Sequence, residues 1–523
     1  MRAVGTLLLV AAVAAAPLGA QRFSRDWPPS DRAVLPDGST ITAVATTFDR
    51  VFVTTPSAAA IWRPLDRRWE GPFDPPRPGM LAGAFRALVD PLDQSLWLAR
   101  PDGWVNLQPD AALWREGRVA GLVRDAAFDA DDPGGGLFLQ TSTGWQRVPP
   151  GGISAVPSPP PRRPVRAATV EQALRANPSL QANAAIILGD PRGRPFAYTC
   201  AAPSQDGLGW YLGTGGGGLL FLPHAGAVPE RLSFGLPGDH VGAVFAAPEG
   251  VWVATDEGPT TDAAVGFVGS DLTTVGVARG SATFGLRFRA ARRMAGAGSQ
   301  LWLATDAGAV RIDLRDQRVE AFDLGDGLPD ARTYSVLARR GDVYAGTARG
   351  VVRIDDTLAV WRVAPGFDGP AHALELLDDT LWVGTNDGVV AIPPGGQLAV
   401  RTPGLRVSAA LRAPVLGLAR LADTLVAMTP DQLFWRAPGD EWHLGPPLSP
   451  VLGRLLALTP YGDGVFVAGE RGLGYARLES PVLRPLRADE HPGRIRDLTT
   501  SGEYLWVATE HGLVRWRIEA ILP

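Results

Sequence analysis

Four basic side chains recur at one spacing. Counting back eleven residues from the start of a short aromatic strand gives His240 (from Val251), Arg332 (from Val343), Arg454 (from Val465) and Arg494 (from Leu505). Arg86 and His372 lie at nearly equivalent places ahead of their own strands. A guanidinium fork matches the geometry of a carboxylate or a sulfate. If these six groups meet, they form a binding site for an anionic ligand such as an acidic glycan. The competing reading has them capping strand starts or pairing with neighbouring aspartates.

No local motif for catalysis accompanies them. The six histidines (His224, His240, His372, His443, His491, His511) are scattered, without the paired spacing of a zinc site. There is neither a Gly-x-Ser-x-Gly elbow nor a phosphate loop, and the glycines at 215–218 lack the following Lys-Ser/Thr. The sequence therefore gives no catalytic residue, no metal and no cofactor. Whether the chain is an enzyme stays open, with the balance against it, because a repeat fold can assemble acids and bases from distant segments. Cys200 is the single cysteine, so the chain has no internal disulfide. Its small neighbours Thr199, Ala201 and Ala202 mark it as a buried small side chain.

The elements that must position the six groups come from a repeat. Leu505-Trp506-Val507-Ala508-Thr509-Glu510-His511-Gly512 reads as an apolar strand and a tight turn closed by glycine. Leu301-Trp302-Leu303-Ala304-Thr305-Asp306-Ala307-Gly308 and Leu381-Trp382-Val383-Gly384-Thr385-Asn386-Asp387-Gly388 repeat it. Aligned on its second residue, the phrase occurs at Phe52, Trp97, Phe138, Tyr211, Trp252, Trp302, Tyr344, Trp382, Val426, Phe466 and Trp506. A period of about 40 residues built from four short strands is that of a β-propeller blade. Each unit reads as an innermost apolar strand, a polar hairpin, the aromatic strand, the glycine turn, a third strand and a looser outer edge. The turn glycines, among them Gly103, Gly350 and Gly512, are expected at positive φ. The aromatics are expected to fill the wedge between blades.

The fold class is thus all-β, an array of about eleven four-stranded units with a short helical insertion. Propellers commonly have about four to eight blades, so these units make two propellers, the alternative being one large ring. The last unit stops after its third strand, and residues 22–35 are placed to supply the missing outer strand and latch the ring. Such a latch favours an interleaved pair, with the middle units in one ring and the ends in the other. The insertion at 157–195 opens with a proline-rich stretch, followed by a helix capped by Thr169 and ended before Pro178, then a second short helix at 181–188. It is a candidate lid, docking arm or connector, or a neutral surface insertion. The segments are therefore 1–20 as a signal peptide, 21–156 as the first blades with the latch strand, 157–195 as the insertion and 196–523 as the remaining blades.

Arg2 and the apolar run at 7–16 make the N-terminus a secretory signal with cleavage after Ala20. The expected address is periplasmic or secreted, with no transmembrane segment in the mature chain. The formal net charge of −4 and the absence of lysine give no basic footprint for nucleic acid.

The run Phe322-Asp323-Leu324-Gly325-Asp326-Gly327-Leu328-Pro329, continuing to Asp355, closely resembles the two-component-regulator propeller repeat. That family's unit has a Gly-Leu-Pro step, a valine-rich strand, then Leu-Trp-hydrophobic-Gly-Thr and a glycine turn. Phe234-Gly235-Leu236-Pro237 repeats the step. The resemblance covers most of the mature chain and is strongest from Tyr211 onward. Such repeats form periplasmic sensor regions of hybrid histidine kinases, some responding to oligosaccharides. This chain shows no kinase or DNA-binding region after the last unit, so stand-alone binding or a place in a larger assembly is what the resemblance implies. The expected function is an exported, non-enzymatic propeller binding a glycan, a peptide or an envelope protein. The alternatives are an exported hydrolase or lyase with a composite site, and a cell-envelope scaffold. In a propeller the innermost strands begin at the mouth of the central channel, where the six basic groups would gather. The turn tips (Asp256, Asp306, Arg349, Asn386, Glu470, Glu510) form a second, separate candidate surface.

Overall fold

The computed structural model describes residues 27–522 apart from 29, 78, 179–195, 225–228, 237, 239, 259–261, 273, 280–287, 317, 340, 395–412, 479–484 and 488–489. The signal segment and the second helix expected at 181–188 lie outside the described residues. Eleven antiparallel sheets are present among the described residues, and each contains one copy of the aromatic phrase as its second strand. In chain order they are units 1 (43–73), 2 (86–118), 3 (123–166), 4 (197–232), 5 (241–279), 6 (291–322), 7 (333–363), 8 (373–392), 9 (417–447), 10 (455–487) and 11 (495–517). The protein is all-β with the sheet pattern of a propeller.

The aromatic strand explains why these sheets stack. Successive side chains of a strand point to opposite faces. In unit 11, Leu505 and Val507 pack with Phe466 and Ala468 of unit 10, while Trp506 and Ala508 pack with Val241, Val244 and Val251 of unit 5. A strand covered on both faces must be apolar throughout, and Tyr504–Thr509 is buried after its first residue. Trp302 likewise faces Val336 and Val343 of unit 7, and Trp382 faces Leu425 and Phe434 of unit 9. The aromatic of each of these units therefore fills the wedge toward the next.

The turn after the strand is built from threonine and glycine together. Thr305, Thr347, Thr385 and Thr509 each donate a hydroxyl hydrogen bond to the carbonyl of the glycine three residues on, at 2.7–3.0 Å. Gly350 and Gly512 take φ of +105° and +123°, which a side chain would strain. Gly103 departs from the expectation: its φ lies outside the left-handed region, and a Cβ would lie 2.0 Å from the Gly117 carbonyl oxygen. Close approach of the outer strand, not a left-handed turn, requires glycine at that place.

The innermost strands of units 5 to 11 neighbour one another in sequence order, and unit 11 returns to unit 5, closing a cycle of seven. The outer strand of unit 11 is Arg32–Leu35, paired antiparallel with Gly512–Arg517 in the register Arg32 with Trp516 to Leu35 with Leu513. Units 4, 1, 2 and 3 neighbour in that order as a second group. From the N-terminal end only the latch strand joins the seven-unit ring, and units 1–4 stand together between that strand and unit 5. Two crossing segments tie the groups. Asp37 bridges Leu236, Thr40 bridges Gly215, and a Cβ on Gly38 would overlap the Phe234 carbonyl.

The described part of the insertion is structural. Pro164–Arg166 pairs beside the innermost strand of unit 3. The helix Val170–Ala176 carries the expected cap at Thr169, reciprocated by Gln172, and buries Ala173 against Leu212 and Leu220 of unit 4. It fills space at the end of the four-unit group and does not project as an arm.

Cys200, expected to be buried, is half-buried in unit 4 against Ile41 and Gly213, where a Cβ on Gly213 would lie 2.3 Å from its sulfur. Burial pushes its thiol up to about 12, so the reactive thiolate is scarce at neutral pH. Iodoacetamide at pH 8 is expected to modify the folded protein at least about 100-fold more slowly than the urea-unfolded chain. Mass spectrometry of the single cysteine reads this directly, and equal rates would contradict the packing.

Candidate functional site

An antiparallel meander places the start of each innermost strand and the turn after the second strand at the same end of the sheet. Backbone hydrogen bonds join them. Asp256 N–H donates to the His240 carbonyl (2.8 Å), Ala348 to Arg332, Glu470 to Arg454 and Glu510 to Arg494 (each 3.0 Å). The strand starts and the turn tips, expected as two surfaces, are therefore one rim. Five of the six candidates, His240, Arg332, His372, Arg454 and Arg494, belong to the seven-unit ring. Arg86 does not. It begins the innermost strand of unit 2, where it lies 3.7 Å from Asp125 and donates to the Phe85 carbonyl.

The sequence register also misses a bulge. The innermost strands of units 5, 6, 7, 10 and 11 each skip one residue just after they start: Gly242, Arg292, Tyr334, Leu456 and Arg496. A bulge bends its strand and re-aims the extra side chain. His372 occupies this bulge row by count, nine residues before Leu381, and not the row of the other four. The result is a run of contacts across three units. The Arg292 guanidinium lies 5.3 Å from the Tyr334 ring, Tyr334 lies 5.0 Å from His372, and His372 Nε2 is 2.8 Å from Asn386 Oδ1. Arg292 and Tyr334 were not singled out by sequence reasoning. A search nine residues upstream of each aromatic strand would have found them.

Charge on the rim is mixed. Arg494 lies 3.6 Å from Glu470, Arg332 lies 3.2 Å from Asp330, and Arg496 lies 3.3 Å from Asp256. The hydrogen bond from Arg332 holds the Asp330 carboxyl below its ordinary value. Asp256 is the buried member. Burial raises its carboxyl above the usual range, against the Ala291 N–H (2.9 Å), Arg496 and His240, which favour the ionised form. His240 and His511 face each other across the seam between units 5 and 11, with ring centres 5.8 Å apart. Arg292 and Arg454 are exposed and carry no carboxylate partner among the described residues. Deeper in the same seam, Asp497 accepts from Val244 N–H at 3.1 Å and pairs with Arg293. No group of three or more histidine, cysteine or carboxylate side chains suited to a metal occurs among the described residues.

No family model matches the chain, and no curated relative matches it. Solved structures do. The extracellular domain of a putative hybrid two-component system from B. thetaiotaomicron is 14% identical over 91% of this chain and 63% of its own, with a TM-score of 0.45. PorZ, a surface component of the type-IX secretion system of Porphyromonas gingivalis, is 11% identical over 91% of this chain and 74% of its own, with a TM-score of 0.45. A virginiamycin B lyase from Staphylococcus aureus is 14% identical over 53% of this chain and 95% of its own, with a TM-score of 0.44. At these identities the likeness is one of fold. No helix among the described residues is long and apolar enough to cross a membrane.

Proposed function

We propose that this chain is an exported, non-enzymatic binding module, periplasmic or secreted, that holds an anionic ligand on the rim of its seven-unit ring. The ligand class is a carboxylate- or sulfate-bearing glycan, peptide or protein partner. The observation that carries the reading is the convergence on one rim of guanidinium groups from units 6, 7, 10 and 11, two of them without a carboxylate partner among the described residues. Exposed ion pairs contribute only about 0–1 kcal/mol each, so an incoming sulfate or carboxylate can replace Glu470 or Asp330 at little cost. A bidentate fork then adds orientation as well as energy. The structural neighbours, an extracellular sensor domain and a surface component of a secretion system, fit such a module.

Arg332→Ala combined with Arg494→Ala is expected to weaken binding to sulfated and uronic-acid glycans on an array by about tenfold or more, since charge-assisted bonds contribute roughly 1.5–3 kcal/mol. Unchanged binding across the array overturns the reading. A second reading, hydrolysis or elimination at the seam of units 5 and 11, is favoured by one observation only: the raised Asp256 carboxyl near His240. Turnover of a bound glycan that Asp256→Asn abolishes would establish it.

A further inference from the structure

The four-unit group has an end face unlike anything on the seven-unit ring. The turns joining first to second strands, and third to fourth strands, all emerge at the end opposite the strand starts. In units 4, 1, 2 and 3 these turns present Leu208 (63% exposed), Phe48 (70%), Leu65 (76%), Leu92 (66%), Leu113 (41%) and Ile153 (74%). Among the described residues, the large exposed apolar side chains of the seven-unit ring are Leu324, Trp361, Leu444 and Val451. These sit in connections between units or on outer strands, and none lies at the corresponding turns.

Contacts between neighbouring units set these tips side by side on one end face. Thr46 of unit 1 donates to the Pro203 carbonyl of unit 4 (2.7 Å), Arg50 of unit 1 reaches Asp110 of unit 2 (3.1 Å), and Leu92 of unit 2 lies 3.5 Å from where a Cβ on Gly134 of unit 3 would be. Isolated exposed apolar residues are ordinary, but a contiguous apolar face framed by charge is the mark of an interaction site. The frame is acidic. Asp49, Asp66, Asp110 and Asp132 keep 48–79% of their side chains exposed at these turns. Arg50 is only 15% exposed, turned inward between Asp49 and Asp110, and Arg67 and Arg68 beside Leu65 are the exposed exceptions (67% and 65%), paired with Glu230 and Asp66, so the frame is acidic on balance.

We infer that this end face is a docking surface for a partner protein whose contact region sets apolar side chains among basic ones. Apolar tips supply the contact area and the aspartate frame selects the charge of what lands on it. An anionic lipid surface would be repelled by the same frame, and a second copy of the face would bring aspartate against aspartate. The surface is distinct from the rim, so the two readings stand or fall separately.

The test uses the whole mature chain and three amphipathic peptides of equal length, each with one leucine face and a polar face of arginine, glutamine or glutamate. The arginine peptide is expected to bind at least about tenfold more tightly than the glutamate peptide, with the difference shrinking as salt rises. Phe48→Ser with Leu92→Ser and Leu208→Ser is expected to weaken its binding at least about tenfold. Asp66→Asn with Asp132→Asn is expected to reduce the preference for arginine. All five side chains are exposed, so unfolding midpoints should match the parent chain and verify the fold. Leu324→Ser with Trp361→Ser serves as the control and should bind as the parent does. The inference is overturned by equal binding of the arginine and glutamate peptides or by unchanged binding of the triple variant. It is equally overturned by sedimentation with phosphatidylcholine or phosphatidylglycerol vesicles, or by a concentration-dependent dimer that the triple variant abolishes.

Discussion

A chain that starts at Pro36 loses at least about 3–6 kcal/mol of the stability of the seven-unit ring, judged from the two buried side chains of the latch alone. Val34 lies with Trp516 and Ile518 in the core between units 10 and 11, and Leu35 lies with Trp506 and Leu513 in the core between units 11 and 5. One strand thus seals both flanks of the last unit. Trp27 adds an edge contact on Trp516 at 4.9 Å, and Arg32 stacks 5.5 Å over the same ring while donating to the Glu490 carbonyl at 2.7 and 3.1 Å. Without the strand, the backbone of Gly512–Arg517 becomes an open edge. Urea denaturation followed by tryptophan fluorescence should show an early transition in the truncated chain. A synthetic peptide of residues 27–35 should restore it in a concentration-dependent way. Equal midpoints with and without the strand would remove the latch from the account.

The second large effect is at Asp497. Its carboxylate takes the Val244 N–H of unit 5 and the Arg293 guanidinium of unit 6 from a side chain in unit 11 that is 5% exposed. The pair spans the seam at which the cycle closes. Asp497→Ala leaves a guanidinium and an amide without a buried acceptor, a defect of about 3–5 kcal/mol. Arg293→Met together with Asp497→Leu removes both charges and is expected to recover most of that loss, because a buried pair replaced by apolar groups of like volume is often neutral. Thermal unfolding of the two variants against the parent separates these cases. A double variant no better than Asp497→Ala would mean that the seam needs hydrogen bonds and not merely charge balance.

Much of the fold is legible because the sheets reuse one local solution. The alternation around Trp506, the threonine at position 509 and the glycine at 512 each answer a local demand: two covered faces, a hydroxyl to close the turn, and a positive φ. Those demands recur unit by unit, so the phrase marks every second strand, including Val426 and Phe52 where the turn glycine is missing. The rim is less legible. A one-residue bulge leaves no trace in composition, yet it adds to the row of Arg332 and Arg494 a second row in which Arg292, Tyr334 and His372 meet. Nor can spacing tell which ring a unit joins, so Arg86 fits the pattern and still lies in the other group. The pairing of Arg494 with Glu470 depends on the distance between neighbouring units, which no single repeat encodes.

The latch has a consequence for the order of events during synthesis. Arg32–Leu35 is made and delivered early, whereas its partner Gly512–Arg517 comes hundreds of residues later. Bringing such distant segments together carries the entropy of a long loop, which grows only slowly with length but is met only at the end. Units 1–4 need not wait, because their innermost strands neighbour one another. A nascent chain interrupted before residue 512 therefore holds an early-formed group beside a ring that has no way to close. Its unpaired first strand is then a readable sign of incompleteness for any protease that meets it.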